Sequence, residues 1–194
     1  DSIAHKRAVK NIYSIDLDST DLPQLKKAVA LLSWKEKKYL DTKEALINKL
    51  GAMPAKAASE YLKGLYYALE DTVQLQYAVL ENLLNQKTAY AYTIFKEIIN
   101  SDPPVLNIGK DGYPSSVAVS DYGYGNYGRS NNFLDALSDS LKLTKTILPD
   151  LLPLLNLTDY KPGIMQLLGK MVDSNLVTTK DYEMYFSKFL VEAK

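Results

Sequence analysis

The chain contains no cysteine and a single histidine. The first absence excludes a disulfide framework, a thiolate zinc site and a cysteine nucleophile together. The second makes any serine–histidine catalysis depend on His5, near the start of the chain, where a lone histidine is more often solvated than a ligand. A serine–lysine pair is the nucleophilic arrangement that composition leaves open. No apolar run approaches the roughly 20 residues that span a bilayer. The greasiest stretch, Ile147 to Leu157, is broken by Pro149, Asp150 and Pro153. Charge of one sign is also missing. Lys plus Arg and Asp plus Glu number 23 each, so no whole-chain field draws nucleic acid or anionic lipid. Neither a nucleic acid nor a membrane span is expected.

What is present is helical periodicity. From Pro54 to Asn100 three helical patterns follow one another with no glycine-rich loop between them. Ala58, Tyr61, Leu62, Leu65 and Leu69 recur at steps of three and four, which places them on one helical face, and Pro54 is suited to the first turn. Val73, Leu75, Tyr77, Val79, Leu80, Leu83 and Leu84 are apolar on more than one side, which predicts a middle helix with neighbours on two sides. Tyr90, Ala91, Ile94, Phe95, Ile98 and Ile99 form a third face that stops at Asp102-Pro103-Pro104, because a residue before proline is pushed out of the helical region.

Upstream, residues before 20 are ambiguous between a short helix and an extended entry. Ser19-Thr20-Asp21 and Pro23 open a helix expected to end near Trp34. Asp41 and Glu44 have the spacing of a capping box, and Gly51 stands where a left-handed C-terminal residue is expected. Asp71-Thr72 with Gln74 repeats the Asp41-Thr42 pattern about thirty residues later, and Pro23 and Pro54 recur at nearly the same interval. Downstream, Asn131 or Asn132 caps a helix through Phe133, Leu134, Leu137, Leu141 and Leu148 that Pro149 ends or bends. A short apolar helix near Leu151 to Leu155, another from Pro162 to Val172, and a last one with Tyr182, Tyr185, Phe186, Phe189 and Leu190 complete the pattern.

At this level residues 20 to 100, and more loosely 131 to 194, resemble helical-repeat proteins of the HEAT, armadillo and tetratricopeptide kind, although the tetratricopeptide signature residues are absent. The resemblance implies an all-α fold of antiparallel helix pairs stacked as a short α-solenoid. We read 1–194 as one helical-repeat domain. It begins at Asp1 without methionine, and we expect a piece of a longer or processed protein.

Residues 101–130 break the helical pattern and read as an irregular insertion, with Gly109, Gly112, Pro114, Gly123, Gly125 and Gly128 as turn formers. Within it, Tyr113, Tyr122, Tyr124, Tyr127 and Arg129 are the candidate ligand-binding residues. Tyrosine rings offer flat apolar faces and phenolic donors, and Arg129 adds directed hydrogen bonds, a set suited to a sugar, a peptide or stacked bases. Gly123-x-Gly125-x-x-Gly128 matches the dinucleotide spacing without its strand–turn–helix setting, and Asp111-Gly112 lacks the alternating carboxylates of a calcium loop. Neither a cofactor nor a metal is expected. Lys26, Lys27, Lys35, Lys37, Lys38 and Lys43 surround Trp34, but acids interrupt them and arginine occurs only at Arg7 and Arg129, so the cluster reads as a solvated helix end. The expected function is a non-enzymatic scaffold that holds a protein partner or another part of the parent chain. The alternative is a small-ligand or glycan-binding domain using the Tyr/Gly-rich insertion.

Overall fold

The computed structural model describes residues 2–36, 38–69, 72–104, 132–156 and 160–191. Among these every regular element is helical. In order they are α1 (Ser2–Ser14), a 3-10 turn (Ser19–Asp21), α2 (Leu22–Ala30), α3 (Leu40–Gly51), α4 (Lys56–Ala68), α5 (Val73–Asn85), α6 (Ala89–Ser101), α7 (Asn132–Ser138), α8 (Leu141–Leu151), a second 3-10 turn (Leu152–Asn156), α9 (Lys161–Asp173) and α10 (Thr179–Val191). The fold is all-α, with helix pairs stacked on one another. It divides into two compact units, Asp1–Phe95 and Lys96–Lys194, with the division inside α6.

In the first unit α3 touches the most neighbours, with α1, α2, α4 and α5 packed on it, and α5 lies against both α3 and α4. Burial on α5 runs round most of the helix, from Leu75 and Tyr77 to Leu83 and Leu84, in keeping with its two neighbours. Polar residues are buried there too. The Gln86 side-chain amide donates to the carbonyls of Leu50 (3.1 Å) and Met53 (2.8 Å), and its oxygen accepts from the Ser59 hydroxyl (2.6 Å). One side chain therefore adds a second bond to each of two carbonyls that also accept from the Met53 and Ala55 N–H groups, and ties the end of α3 to the start of α4. Four residues earlier, Asn82 donates to Asn48 Oδ1 (2.7 Å) and to the Ala78 carbonyl (2.8 Å).

That contact needs Gly51. A Cβ there would lie 1.9 Å from Asn82 Oδ1 and 2.5 Å from Asn82 Cβ. Gly51 is the last residue of α3 rather than a left-handed residue beyond it, and the cap position Ala52 is right-handed. The glycine serves close helix approach. Other expected termini also move. Tyr39, left-handed at φ 56°, precedes α3, so the Asp41–Glu44 box does not form; Asp18 and Asp21 make a reciprocal box around the first 3-10 turn instead. Pro54 lies outside α4, whose cap position is the extended Ala55. Helix α2 ends at Ala30, and Trp34 folds back so that its indole donates to the Val29 carbonyl (2.8 Å). Of the predicted Asp71 pattern, Thr72 makes no side-chain cap and Asp71 lies outside the described residues.

Lys43 is buried against this Trp34, its ammonium 5.8 Å from the ring centre and donating to the Glu36 carbonyl. Burial pulls the Lys43 ammonium below the usual lysine range, and the nearby Glu36 carboxylate partly opposes it. The N-terminal helix α1 is held more lightly. Lys49 donates to the carbonyls of Tyr13 (2.9 Å) and Ile15 (2.5 Å), where the cation meets the negative end of the helix.

In the second unit α9 is the central helix, touching α7, α8, the second 3-10 turn and α10. Ile164, Leu167, Leu168 and Met171 form its buried stripe. The single helix predicted from Phe133 to Leu148 is two, broken after Ser138. The Thr144 hydroxyl donates to the Leu137 carbonyl (2.7 Å), which also accepts from the Ser140 N–H, and so ties the end of α7 to the next helix. Tyr160 is fully buried, donates to the Pro104 carbonyl and rests against Phe133 with ring centres 5.8 Å apart. Asp150 accepts from Asn100 (3.0 Å) and pairs with Lys96 at 3.6 Å, fastening α8 to the end of α6.

Two outcomes follow for stability. Gly51→Ala forces α3 away from α5 and should cost about 2 kcal/mol, read as a lower urea midpoint, because a well-packed contact cannot absorb a methyl without backbone shift. An unchanged midpoint would refute the close-approach role. For Lys43 the folded pKa is lowered, so above it the unfolded chain binds more protons, and stability should rise with pH from that folded value towards the ordinary 10.5. In Lys43→Met this increment should vanish from a pH series of denaturation midpoints; an identical pH slope in both proteins would exclude it.

Candidate functional site

The second unit carries an open groove of about 730 Å³ between α8, the end of α9 and the start of α10. Three local terminations shape it. Pro149 removes a backbone donor in the last turn of α8, and the chain tightens into the second 3-10 turn. Helix α9 ends in a Schellman motif: Asn175 is left-handed at φ 54°, its N–H donates to the Val172 carbonyl (2.9 Å), and the Leu176 N–H donates to the Met171 carbonyl (2.8 Å). Helix α10 then starts from Thr178, whose hydroxyl accepts from the Asp181 N–H (3.1 Å) and donates to the Asp181 carboxylate (2.6 Å).

These turns leave Leu148, Leu152, Val172, Leu176 and Val177 half-buried as an aliphatic floor. The rim is polar. It carries Lys145, Asn175, Thr178, Thr179, Asp181 and the half-buried Tyr185. Among the described residues, the side chains of Lys145, Asn175 and Tyr185 make no hydrogen bond or ion pair, whereas Asp181 is engaged by Thr178. An apolar floor under unengaged polar groups can hold an amphiphilic chain and orient it. On α10, Tyr182 and Phe186 stack with ring centres 6.1 Å apart, and Phe186 stays 40% exposed.

The ligand residues predicted from sequence, Tyr113, Tyr122, Tyr124, Tyr127 and Arg129, all lie outside the described residues, as does most of the 101–130 insertion. The small-ligand or glycan reading rests on them alone. The lysine cluster around Trp34 is dispersed. Trp34 is buried, Lys43 is buried on its ring, Lys26 lies 5.0 Å over the Tyr61 ring, and Lys38 pairs with Glu36 at 3.4 Å. A shallower hollow of about 500 Å³ beside Tyr61, lined by Lys26, Lys56, Ala57 and Glu60, is open and lacks a comparable floor.

The groove was not anticipated from the sequence. Its local signals were Asn175 just past an apolar helix and Thr178 three residues before Asp181, both ordinary terminus signatures. Nothing in them says that the two termini flank α8. Among the described residues no group of three or more His, Cys, Asp or Glu is placed to hold a metal ion, and no helix is long and apolar enough to cross a membrane. Compared with protein-family models, with curated proteins and with solved structures, the chain matches none.

Proposed function

We propose that this chain is a non-enzymatic interaction domain, a short solenoid-like stack of antiparallel helix pairs that holds a protein segment belonging to a partner or to its own parent chain. The observation that carries the reading is the groove of about 730 Å³ with its aliphatic floor and polar rim. Its volume falls in the range of roughly 300–1,000 Å³ typical of ligand pockets. An apolar centre bordered by polar groups is also the anatomy of surfaces that hold polypeptide. On α10 beside it, Met184 and Phe186 remain 46% and 40% exposed, extending the apolar surface offered by that helix.

Selection of a random peptide library against the full chain tests the reading. Enriched peptides should bind the parent protein and lose at least about tenfold in affinity to Leu148→Glu, which puts a charge on the groove floor while circular dichroism shows unchanged helix content. If no peptide enriches, or if the variant binds as the parent does, the groove is not a polypeptide site.

A further inference from the structure

Resting on that reading of the groove, we propose that its occupant is an extended apolar polypeptide segment carrying one acidic side chain, whose carboxylate faces Lys145 while the Asn175 amide engages the segment's main chain. The groove has two charged lining residues, and they differ in how far they are committed. Asp181 accepts from the Thr178 hydroxyl at 2.6 Å and lies in the first turn of α10, where the helix end favours a negative charge. Lys145 has no partner among the described residues. The uncommitted charge is positive, so the complementary occupant is negative there.

Asn175 narrows the class further. Its carboxamide presents a donor and an acceptor side by side, the complement of one peptide group. A helical ligand has already paired its main-chain groups internally, and an acyl chain has none to offer. An extended segment has both. Leu148, Leu152, Val172 and Leu176 then receive its aliphatic side chains.

The test uses the full chain and three labelled heptapeptides of alternating leucine and alanine, identical except for one residue that is glutamate, glutamine or lysine, read by fluorescence anisotropy. The glutamate peptide should bind about threefold to fivefold more tightly than the glutamine peptide, and the lysine peptide least, as an exposed ion pair allows. Lys145→Glu should reverse that order. Asn175→Gly removes the amide at a position where glycine relieves the left-handed backbone, so it should weaken all three peptides by about tenfold without lowering the melting temperature. If Lys145→Glu leaves the order unchanged while Leu148→Glu still abolishes binding, the acidic occupant is wrong although the groove holds peptide. If none of the three binds the helical protein, the groove reading itself fails and the inference falls with it. If dodecanoate displaces the peptides at lower concentration than they bind, and Asn175→Gly changes nothing, the occupant is an anionic amphiphile and the inference is overturned.

Discussion

The first unit depends on one buried carboxamide. Gln86 uses both its N–H groups and its oxygen on the end of α3 and the start of α4, from a position 36 residues away from Leu50 in the chain. Each such bond contributes about 1 kcal/mol net, but the larger quantity is the penalty avoided. The Leu50 and Met53 carbonyls also accept from the Met53 and Ala55 N–H groups, and the Ser59 hydroxyl also reaches the Ala55 carbonyl, so the group at stake is the Gln86 carboxamide itself, whose burial without partners would cost about 1–3 kcal/mol. Apolar contacts alone would tolerate sliding of α3 along α5; a saturated amide does not, since a displacement of an ångström breaks its geometry.

Close approach is the companion constraint. Asn82 reaches Asn48 across the α3–α5 contact only because Gly51 has no side chain to occupy the same space. The polar pair and the glycine are therefore one device. Lys43 shows the same logic with a charge: its burial on Trp34 is tolerated through the Glu36 carbonyl and the face of the ring, both of which favour a cation.

The second unit balances its surfaces differently. Helix α9 is sheathed on several sides, whereas α10 meets only α9 among the stronger helix contacts and keeps aromatic area in reach of solvent. The groove lies where three chain terminations converge, so its rim residues are held by backbone geometry and capping bonds rather than by deep packing. A surface made this way has a firm frame and uncommitted side chains, the combination that the proposed recognition role requires.

Helices were legible in the sequence because burial repeats with the helical period: Ala58, Leu62, Leu65 and Leu69, and again Ile94, Phe95, Ile98 and Ile99, are all buried as their spacing predicts. Termini were legible less often. Asp41 and Pro54 have the right chemistry for a start, yet the chain begins its helices at Leu40 and Lys56, because Tyr39 and Ala55 set the backbone angles of entry. The groove's caps, Asn175 and Thr178, were visible as residue types but not as neighbours of Pro149. By itself, then, the sequence determined that the described elements are helical and which face of α4 and α6 turns inward, since those follow from local spacing. Only tertiary structure decided that Gly51 is a contact, that Trp34 and Lys43 are core, and that Lys145 and Asn175 share a rim, because each depends on atoms brought together from distant parts of the chain.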